Sequence, residues 1–253
     1  MKYIGSKSKT SKYIVPIIQD FIDKNNIEWY VEPFVGGANI IDKINCKHRY
    51  GFDIDNIVID LYNATQDNPL LLNQLPELVS REQYYDFRDN RVKCPSWYRS
   101  AILLFASYNA KVYGGGYGAT AKTKDGKVRN YYQEALNNYK KQLPSLKGIK
   151  FSQMDYKDLD CEKCLIYCDP PYAEGIGYST NFNHEEFWKW VRDMSKENIV
   201  VVSEYKAPDD FEVIWEMTVK THLNNRKKLD KLEKLFILTQ HEDKGEKSGS
   251  QKI

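Results

Sequence analysis

Apolar residues recur along this chain in two blocks, and in each block strand-like runs alternate with helix-like periodicity. In the first block the pattern predicts a strand over 28–34, a helix over 38–46, a strand over 50–54 and a helix over 56–64. In the second block it predicts strands over 149–154 and 165–168, a helix over 185–195, a strand over 198–203 and a closing hairpin formed by 211–219 and 232–239. Such alternation is typical of α/β proteins, so we predict a mostly parallel seven-stranded sheet that ends in an antiparallel hairpin.

The region between the two blocks, 69–146, has a different texture. It carries helical periodicity, many tyrosines and the glycine-rich run 113–118. We therefore interpret 69–146 as an inserted, mainly helical lobe, and 1–68 together with 147–240 as one discontinuous main domain. The charged segment 241–253, which also contains Gly and Ser, is predicted to be a disordered tail.

Charge and cysteine content restrict the compartment and the kind of site that the protein can have, but they do not select a function. The 253 residues include 37 basic and 35 acidic side chains, so attraction to a polyanion must come from how the charges are arranged. No run approaches the roughly 18 apolar residues of a membrane span, and 1–10 does not read as a secretory signal, so we expect a cytoplasmic protein. Five cysteines fit a reducing compartment. Cys161, Cys164 and Cys168 lack the fourth ligand of a closed zinc site, so no metal is expected.

The first segment that suggests chemistry is 32–38, with the sequence EPFVGGA, where a predicted strand ends and a helix begins. Ligands bind at this edge of open α/β sheets, and Gly36 and Gly37 would let a ligand approach the backbone closely. Asp53 ends the next predicted strand, where a carboxylate can accept hydrogen bonds from both hydroxyls of a ribose. These features indicate a nucleoside pocket, whereas the G-x-G-x-x-G pattern of dinucleotide sites is absent. A tight strand-to-helix turn is the plainer alternative for the two glycines.

The sharper signal is 165–172, with the sequence LIYCDPPY, in which an apolar strand runs into an acid, two prolines and an aromatic residue. The prolines fix φ and remove donors, which leaves the carbonyl of Pro170 free to accept. Asp169 and that carbonyl can accept both hydrogens of an exocyclic amine and favour a pyramidal nitrogen whose lone pair points at an electrophile. Tyr172 offers a flat surface on which a base can stack. The predicted catalytic residues are Asp169, Pro170, Pro171 and Tyr172, with an ordinary Pro-Pro turn capped by Asp as the alternative.

The F-x-G-G sequence at 34–37, the D-P-P-Y sequence at 169–172 and their order resemble the Dam-type (D12 class) DNA adenine N6-methyltransferases over most of the chain. The resemblance implies a Rossmann-like class I methyltransferase fold and a methyl transfer from S-adenosyl-L-methionine to a flipped-out adenine in double-stranded DNA. It further implies that Tyr3 and Lys7 contact the cofactor, in a segment where Ser6 replaces the usual second glycine. The segments 202–205 and 225–235 look like late motifs of the same family. The cofactor-binding residues implied in this way or by the nucleoside pocket are Tyr3, Lys7, Phe34, Gly36, Gly37, Ala38, Asp53, Asp155, Tyr156 and Asp169.

The inserted lobe occupies the place that the family uses for target recognition, and its composition suits binding to DNA. Lys111, Lys122, Lys124, Lys127 and Arg129 could neutralise phosphates, and Tyr108, Tyr113 and Tyr117 could stack on bases. The predicted DNA-binding residues are Tyr108, Asn109, Lys111, Tyr113, Lys122 and Arg129. The segment after Ala110 departs from its counterpart in GATC-reading members, so the recognition sequence is not predicted.

Other readings stay open at this stage. N4 methylation of cytosine uses the same kind of amine, although that chemistry more often has Ser before Pro-Pro-Tyr. A DNA-binding protein that keeps the fold without catalysis is the alternative from another class. An associated restriction endonuclease, a monomeric or weakly dimeric state, and a location at the nucleoid of a bacterial or phage-infected cell are all compatible with the resemblance.

Overall fold

A single mixed sheet organises the chain, whose computed structural model describes residues 1–123, 125–172, 182–224 and 227–239. The strands are β1 (Trp29–Glu32), β2 (His48–Asp53), β3 (Thr120–Lys122), β4 (Val128–Asn130), β5 (Lys150–Gln153), β6 (Cys164–Cys168), β7 (Ile199–Glu204), β8 (Phe211–Asn224) and β9 (Lys227–Leu238). Seven of them form one sheet in the order β5-β2-β1-β6-β7-β9-β8, in which the first five are parallel and β9 is antiparallel to both of its neighbours, β7 and β8. The predicted sheet with its closing hairpin is therefore confirmed.

The helices are α1 (Ser11–Lys24), α2 (Asn56–Thr65), α3 (Arg81–Arg88), α4 (Ser96–Ala106), α5 (Tyr131–Leu146) and α6 (His184–Met194). The amphipathic α1, absent from the predicted elements, buries Ile14, Ile18 and Ile22 one turn apart. The helix predicted over 38–46 is wrong: the chain forms only a 3₁₀ turn at Ile41–Lys43. Ala38 has a φ of 52°, outside the right-handed helical region, so a helix cannot begin there. No helix among the described residues is long and apolar enough to span a bilayer.

Helices cover both faces of the sheet. Alternate side chains of the central strands point to opposite faces, so each strand contributes to two cores. Tyr30 of β1 and Leu165 of β6 pack in a core formed with α1, α2, α4 and α5. Val31 and Ile166, their neighbours in sequence, pack in a second core with α6. Continuous apolar runs such as β6 follow from this double burial.

The region 69–146 contains α3, α4, α5 and the two-stranded ribbon of β3 and β4. Leu103 of α4 and Leu136 of α5 belong to the same core cluster as Tyr62 of α2. The inserted region thus shares its core with the sheet domain, and the boundaries at 69 and 146 stay a prediction. The predicted tail, 241–253, lies outside the described residues.

The strand order places an opening beside β1. From β1 the chain continues to β2 on one side, and it later adds β6 on the other side. At such a switch point the loops that come after the strands diverge and leave a crevice at the carboxyl edge of the sheet. Glu32 and Asp53 end β1 and β2, and Asp169 follows β6 directly, so three acids reach this edge.

Candidate active site

A cavity of about 550 Å³ lies at the carboxyl edge of the sheet. Its lining includes nearly all the residues predicted to bind a cofactor: Tyr3, Lys7, Phe34, Gly36, Gly37, Asp53, Asp155, Tyr156 and Asp169. Ala38 is completely buried and does not line the cavity. The fold therefore brings the N-terminal segment, the loop after β1 and the turn after β6 together around one cavity.

Gly36 and Gly37 make room for protein as well as lining the cavity. A Cβ on Gly36 would lie 2.9 Å from the Tyr3 ring, and one on Gly37 would lie 2.9 Å from the carbonyl oxygen of Met1. The sequence pattern suggested that these glycines allow close approach of a ligand. In the structure the N-terminal segment occupies the space next to them, so they are needed for packing that segment over the loop.

Asp53 is held by main-chain donors at one end of the cavity. Its Oδ2 accepts a hydrogen bond of 2.9 Å from the Gly36 amide, and its Oδ1 accepts one of 2.9 Å from the Asp55 amide. Burial raises the pKa of Asp53 to about 6, although these two amides oppose the shift. Each oxygen keeps a further lone pair, so the carboxylate can still accept from ligand hydroxyls.

Aromatic side chains enclose the part of the cavity beyond the end of β5. The rings of Phe34 and Tyr156 have centroids 5.3 Å apart, and Phe182 lies 5.9 Å from Phe34 and 5.8 Å from Tyr156. Asp155 precedes this group and caps the next 3₁₀ turn by accepting from the Lys157 amide at 3.1 Å. A planar apolar ligand would find stacking partners here.

Asp169 forms a buried ion pair at the other end of the cavity. The Lys7 ammonium donates to Asp169 Oδ1 at 2.7 Å, and its Nζ lies 3.4 Å from Glu233 Oε1. Only 9% of the Lys7 side chain, 21% of that of Asp169 and 8% of that of Glu233 is exposed. One cation is therefore shared by two carboxylates in a place where water screens them weakly.

Burial and neighbouring charges shift the pKa values of Asp169 and Lys7. Burial raises the pKa of Asp169 to about 6; Lys7 opposes this rise, and the like charge of Glu233 adds to it. Burial alone would lower the pKa of Lys7, but the carboxylates of Asp169 and Glu233 outweigh it and raise that pKa. Lys7 is thus a cation at neutral pH, and Asp169 is mainly an anion.

Pro170 is buried, Pro171 lines the cavity, and Tyr172 is anchored from behind. The Tyr172 hydroxyl donates to Glu233 Oε1 and lies 3.1 Å from Ser203 Oγ. Lys7 Nζ lies 4.5 Å from the centroid of the Tyr172 ring. The ring is therefore fixed in place, and its predicted stacking on a base stays a prediction.

Two residues predicted to bind DNA line the same cavity as the residues predicted to bind the cofactor. Lys111 and Tyr113 both lie in its wall, and the Tyr113 hydroxyl donates to Asp55 Oδ1 at 3.5 Å. Tyr108 and Asn109 are exposed in the preceding turn, where Asn109 has a φ of 54°. The inserted region thus contributes side chains to the cavity wall.

The remaining predicted DNA contacts lie on the β3–β4 ribbon. Lys122 is exposed, and Arg129 makes a bidentate pair with Glu134 through Nε at 2.6 Å and Nη2 at 2.8 Å. Tyr117 is half-buried and donates to the Val79 carbonyl oxygen at 2.7 Å, so its hydroxyl is used within the fold. Lys124 and the 225–226 part of the late motif lie outside the described residues.

Three polar residues without a predicted role belong to the site. Glu32 lines the cavity, is 3% exposed and accepts from the Tyr30 hydroxyl at 2.6 Å. Its position at the end of a buried strand is a signal that could have identified it. Ser203 and Glu233 lie in the segments 202–205 and 225–235 that resemble late family motifs, but that resemblance assigned them no role, because their contact with Tyr172 depends on the sheet order. Among the described residues, no group of three or more His, Cys, Asp or Glu side chains could hold a metal ion.

Known proteins similar to this chain come from one functional class. The family described as D12 class N6 adenine-specific DNA methyltransferase matches residues 3–193. The type II methyltransferase M.FokI of Planomicrobium okeanokoites is 24% identical over 214 residues, which cover 76% of this chain and 31% of that protein. The type II methyltransferase M.MjaIII of Methanocaldococcus jannaschii is 25% identical over 202 residues, which cover 68% of each. The DNA adenine methylase of Escherichia coli K12 is 26% identical over 174 residues, which cover 61% of this chain and 59% of that protein. The matches thus span between 31% and 68% of the length of these relatives.

Proposed function

This chain belongs to the D12 class N6 adenine-specific DNA methyltransferase family, and we propose that it transfers a methyl group from S-adenosylmethionine to N6 of an adenine in duplex DNA. The observation that carries the proposal is the ionised Asp169 at the edge of the cavity, paired with Lys7 at 2.7 Å. A carboxylate in this position can accept from an exocyclic amine while the cofactor occupies the rest of the cavity.

The cavity fits S-adenosylmethionine in size and in the order of its chemical groups. Its volume of about 550 Å³ falls within the range of small-molecule sites. Asp53 suits the ribose hydroxyls, the rings of Phe34 and Tyr156 suit the adenine, and Asp155 lies beside them. Asp169 places negative charge where the cation of the methionine part would lie, and Glu32, whose pKa burial raises well above its usual range, adds a carboxyl group that can hydrogen-bond there. When bound, the cofactor supplies an electrophilic methyl group on a sulfonium.

The side chains at the Asp169 end perform the remaining tasks. Asp169 accepts a hydrogen bond from N6, and the carbonyl oxygen of Pro170 accepts the second one. These acceptors favour a pyramidal nitrogen, and Asp169 is placed to take the proton that N6 loses as the new N–C bond forms. Lys7 keeps Asp169 in the ionised form that these steps need.

The target adenine has to leave the base stack to reach Asp169, because N6 of a stacked base cannot enter a cavity at the sheet edge. The inserted region, 69–146, is the proposed DNA-binding part. The exposed Tyr108 and Lys122 are available to nucleic acid, and Lys111 and Tyr113 connect this region to the cofactor cavity.

Replacement of Asp169 tests the proposal. We expect Asp169→Ala to lower the rate of transfer of labelled methyl groups to DNA by at least about 100-fold. Asp160→Ala removes an exposed acid of the same segment and should transfer at the wild-type rate. Digestion of the product should release N6-methyldeoxyadenosine. An Asp169→Ala variant as fast as wild type would reject this site, and N4-methyldeoxycytidine would reject the assigned base.

A further inference from the structure

Glu233 carries a buried carboxylate in the last strand, 40 residues beyond the end of the family match at 193. It lies on β9, opposite Met217 of β8, and is 6% exposed. A buried acid is costly unless hydrogen bonds or charges compensate it. The hydrogen-bond and ion-pair partners of Glu233 therefore indicate which side chains it positions.

Three partners of Glu233 come from three separate parts of the chain, and each is next to the reacting groups. The Tyr172 hydroxyl and Ser203 Oγ both donate to Glu233 Oε1, the latter at 2.8 Å. Lys7 Nζ lies 3.4 Å from the same oxygen and 2.7 Å from Asp169 Oδ1. One carboxylate oxygen thus contacts the N-terminal segment, the turn after β6 and the end of β7.

Glu233 is 6% exposed, does not line the cavity, and its Oε1 already accepts from the Tyr172 hydroxyl and Ser203 Oγ. Its effect has to pass through Tyr172 and Lys7. We propose that Glu233 is a positioning residue for methyl transfer, which fixes the Tyr172 ring through its hydroxyl and holds Lys7 against Asp169. The inference rests on the proposed function, because the positioned groups are those of the proposed N6 site.

The charge of Glu233 gives the role a measurable signature. The groups that face Asp169 electrostatically, or contact it, are Lys7, Glu32, Tyr167, Cys168, Tyr172, Tyr205 and Glu233. Among them Lys7 lowers the pKa of Asp169, and Glu233 raises it. Neutralising Glu233 while Lys7 stays in place should therefore let Asp169 ionise at lower pH, whereas a loss of scaffolding alone would release Lys7 and move the ionisation of Asp169 to higher pH.

The decisive variant is Glu233→Gln, which keeps the size and one acceptor oxygen but removes the charge. We expect the single-turnover rate of methyl transfer at pH 8 to fall about tenfold, since hydrogen bonds to a charged group are replaced by weaker neutral ones. The acid limb of the pH–rate profile should move to lower pH, and the affinity for S-adenosylmethionine measured by calorimetry should stay within about twofold. Glu216→Gln removes an exposed acid from the same hairpin, 3.7 Å from Lys234, and should match wild type.

A double-mutant cycle with Tyr172→Phe separates positioning from general stability. The Tyr172→Phe variant lacks the hydroxyl that Glu233 holds, so if Glu233 acts through it the two rate losses should not add. Additive losses, or an unchanged rate and acid limb in Glu233→Gln, would overturn the inference. A loss of rate that is accompanied by a comparable fall in cofactor affinity and by a lower melting temperature would also overturn the inference. Wild-type protein that transfers no methyl group to DNA would instead reject the proposed function itself.

Discussion

Two half-buried aspartates at the sheet edge have the same raised pKa of about 6 but are held in different ways. Asp53 receives main-chain amides from Gly36 and Asp55, at most 17 residues away in sequence. Asp169 receives the side chain of Lys7, 162 residues away. Main-chain donors survive every substitution except proline, whereas a side-chain cation is lost on most substitutions. The ribose end should therefore tolerate change around its carboxylate, and the catalytic end should not.

Removal of the Lys7 cation tests the catalytic end most severely. With Lys7→Met we expect methyl transfer at neutral pH to fall by about 10²- to 10³-fold, because Asp169 loses its counter-ion and its fixed position. The pKa of Asp169 should rise, so the acid limb of the rate profile should move to higher pH, opposite to the shift expected for Glu233→Gln. Single-turnover assays across pH measure both effects.

Lys9→Met is the matched control, since Lys9 is exposed in the same 3₁₀ turn. It should retain the wild-type rate and profile. If Lys7→Met also kept them, the buried ion pair would not set the ionisation of Asp169, and the contrast between the two ends would fail.

The pH dependence of stability isolates the Asp53 carboxyl. Its pKa rises from 3.8 to about 6 on folding, so the folded chain binds the proton more tightly than the unfolded chain. The stability that this group contributes is therefore fully present below about pH 4 and is lost as the pH rises to about 6. Relative to wild type, cofactor-free Asp53→Asn should gain about 2 kcal/mol of unfolding free energy between pH 4 and pH 7. Denaturant titrations at both pH values should detect the gain; a pH-independent difference would show that burial does not shift this carboxyl.

Cofactor affinity gives a smaller effect at the same residue. Asp53→Asn should weaken S-adenosylmethionine binding about tenfold, because a charged acceptor for the ribose is replaced by a neutral one. The rate at saturating cofactor should change little, since Asp53 lies at the opposite end from the proposed chemistry. Calorimetry and single-turnover assays separate the two quantities, and a large loss of rate at saturation would contradict the division of the cavity into two functional ends.

The smallest effect is expected at Tyr113. Its hydroxyl reaches Asp55 only at 3.5 Å, and the residue is 67% exposed. Tyr113→Phe should change cofactor affinity by less than about threefold, as measured by the same calorimetry. A larger loss would mean that side-chain contacts from the inserted region, as well as main-chain amides, organise the ribose end.

The sequence predicted much of the fold because strands and helices are recognisable over short windows. All strands of the main sheet and the α2 and α6 helices were found in this way, with somewhat different ends. The helix predicted over 38–46 failed because Ala38 takes a positive φ in the loop after the glycines. Apolar periodicity cannot reveal this loop conformation, because Gly36 and Gly37 pack against Tyr3 and Met1, more than 30 residues away in sequence.

The sequence by itself determined that acidic residues stand where strands end. Asp53 is the last residue of β2 and Asp169 follows β6, and both reach the carboxyl edge because strand direction and period are local properties. Only the tertiary structure decided which side chains meet Asp169. Lys7 and Glu233 join it because β9 pairs with β7 and the N-terminal segment crosses the loop after β1. Strand order depends on the packing of the whole chain, and a local pattern of apolar and polar residues does not encode it.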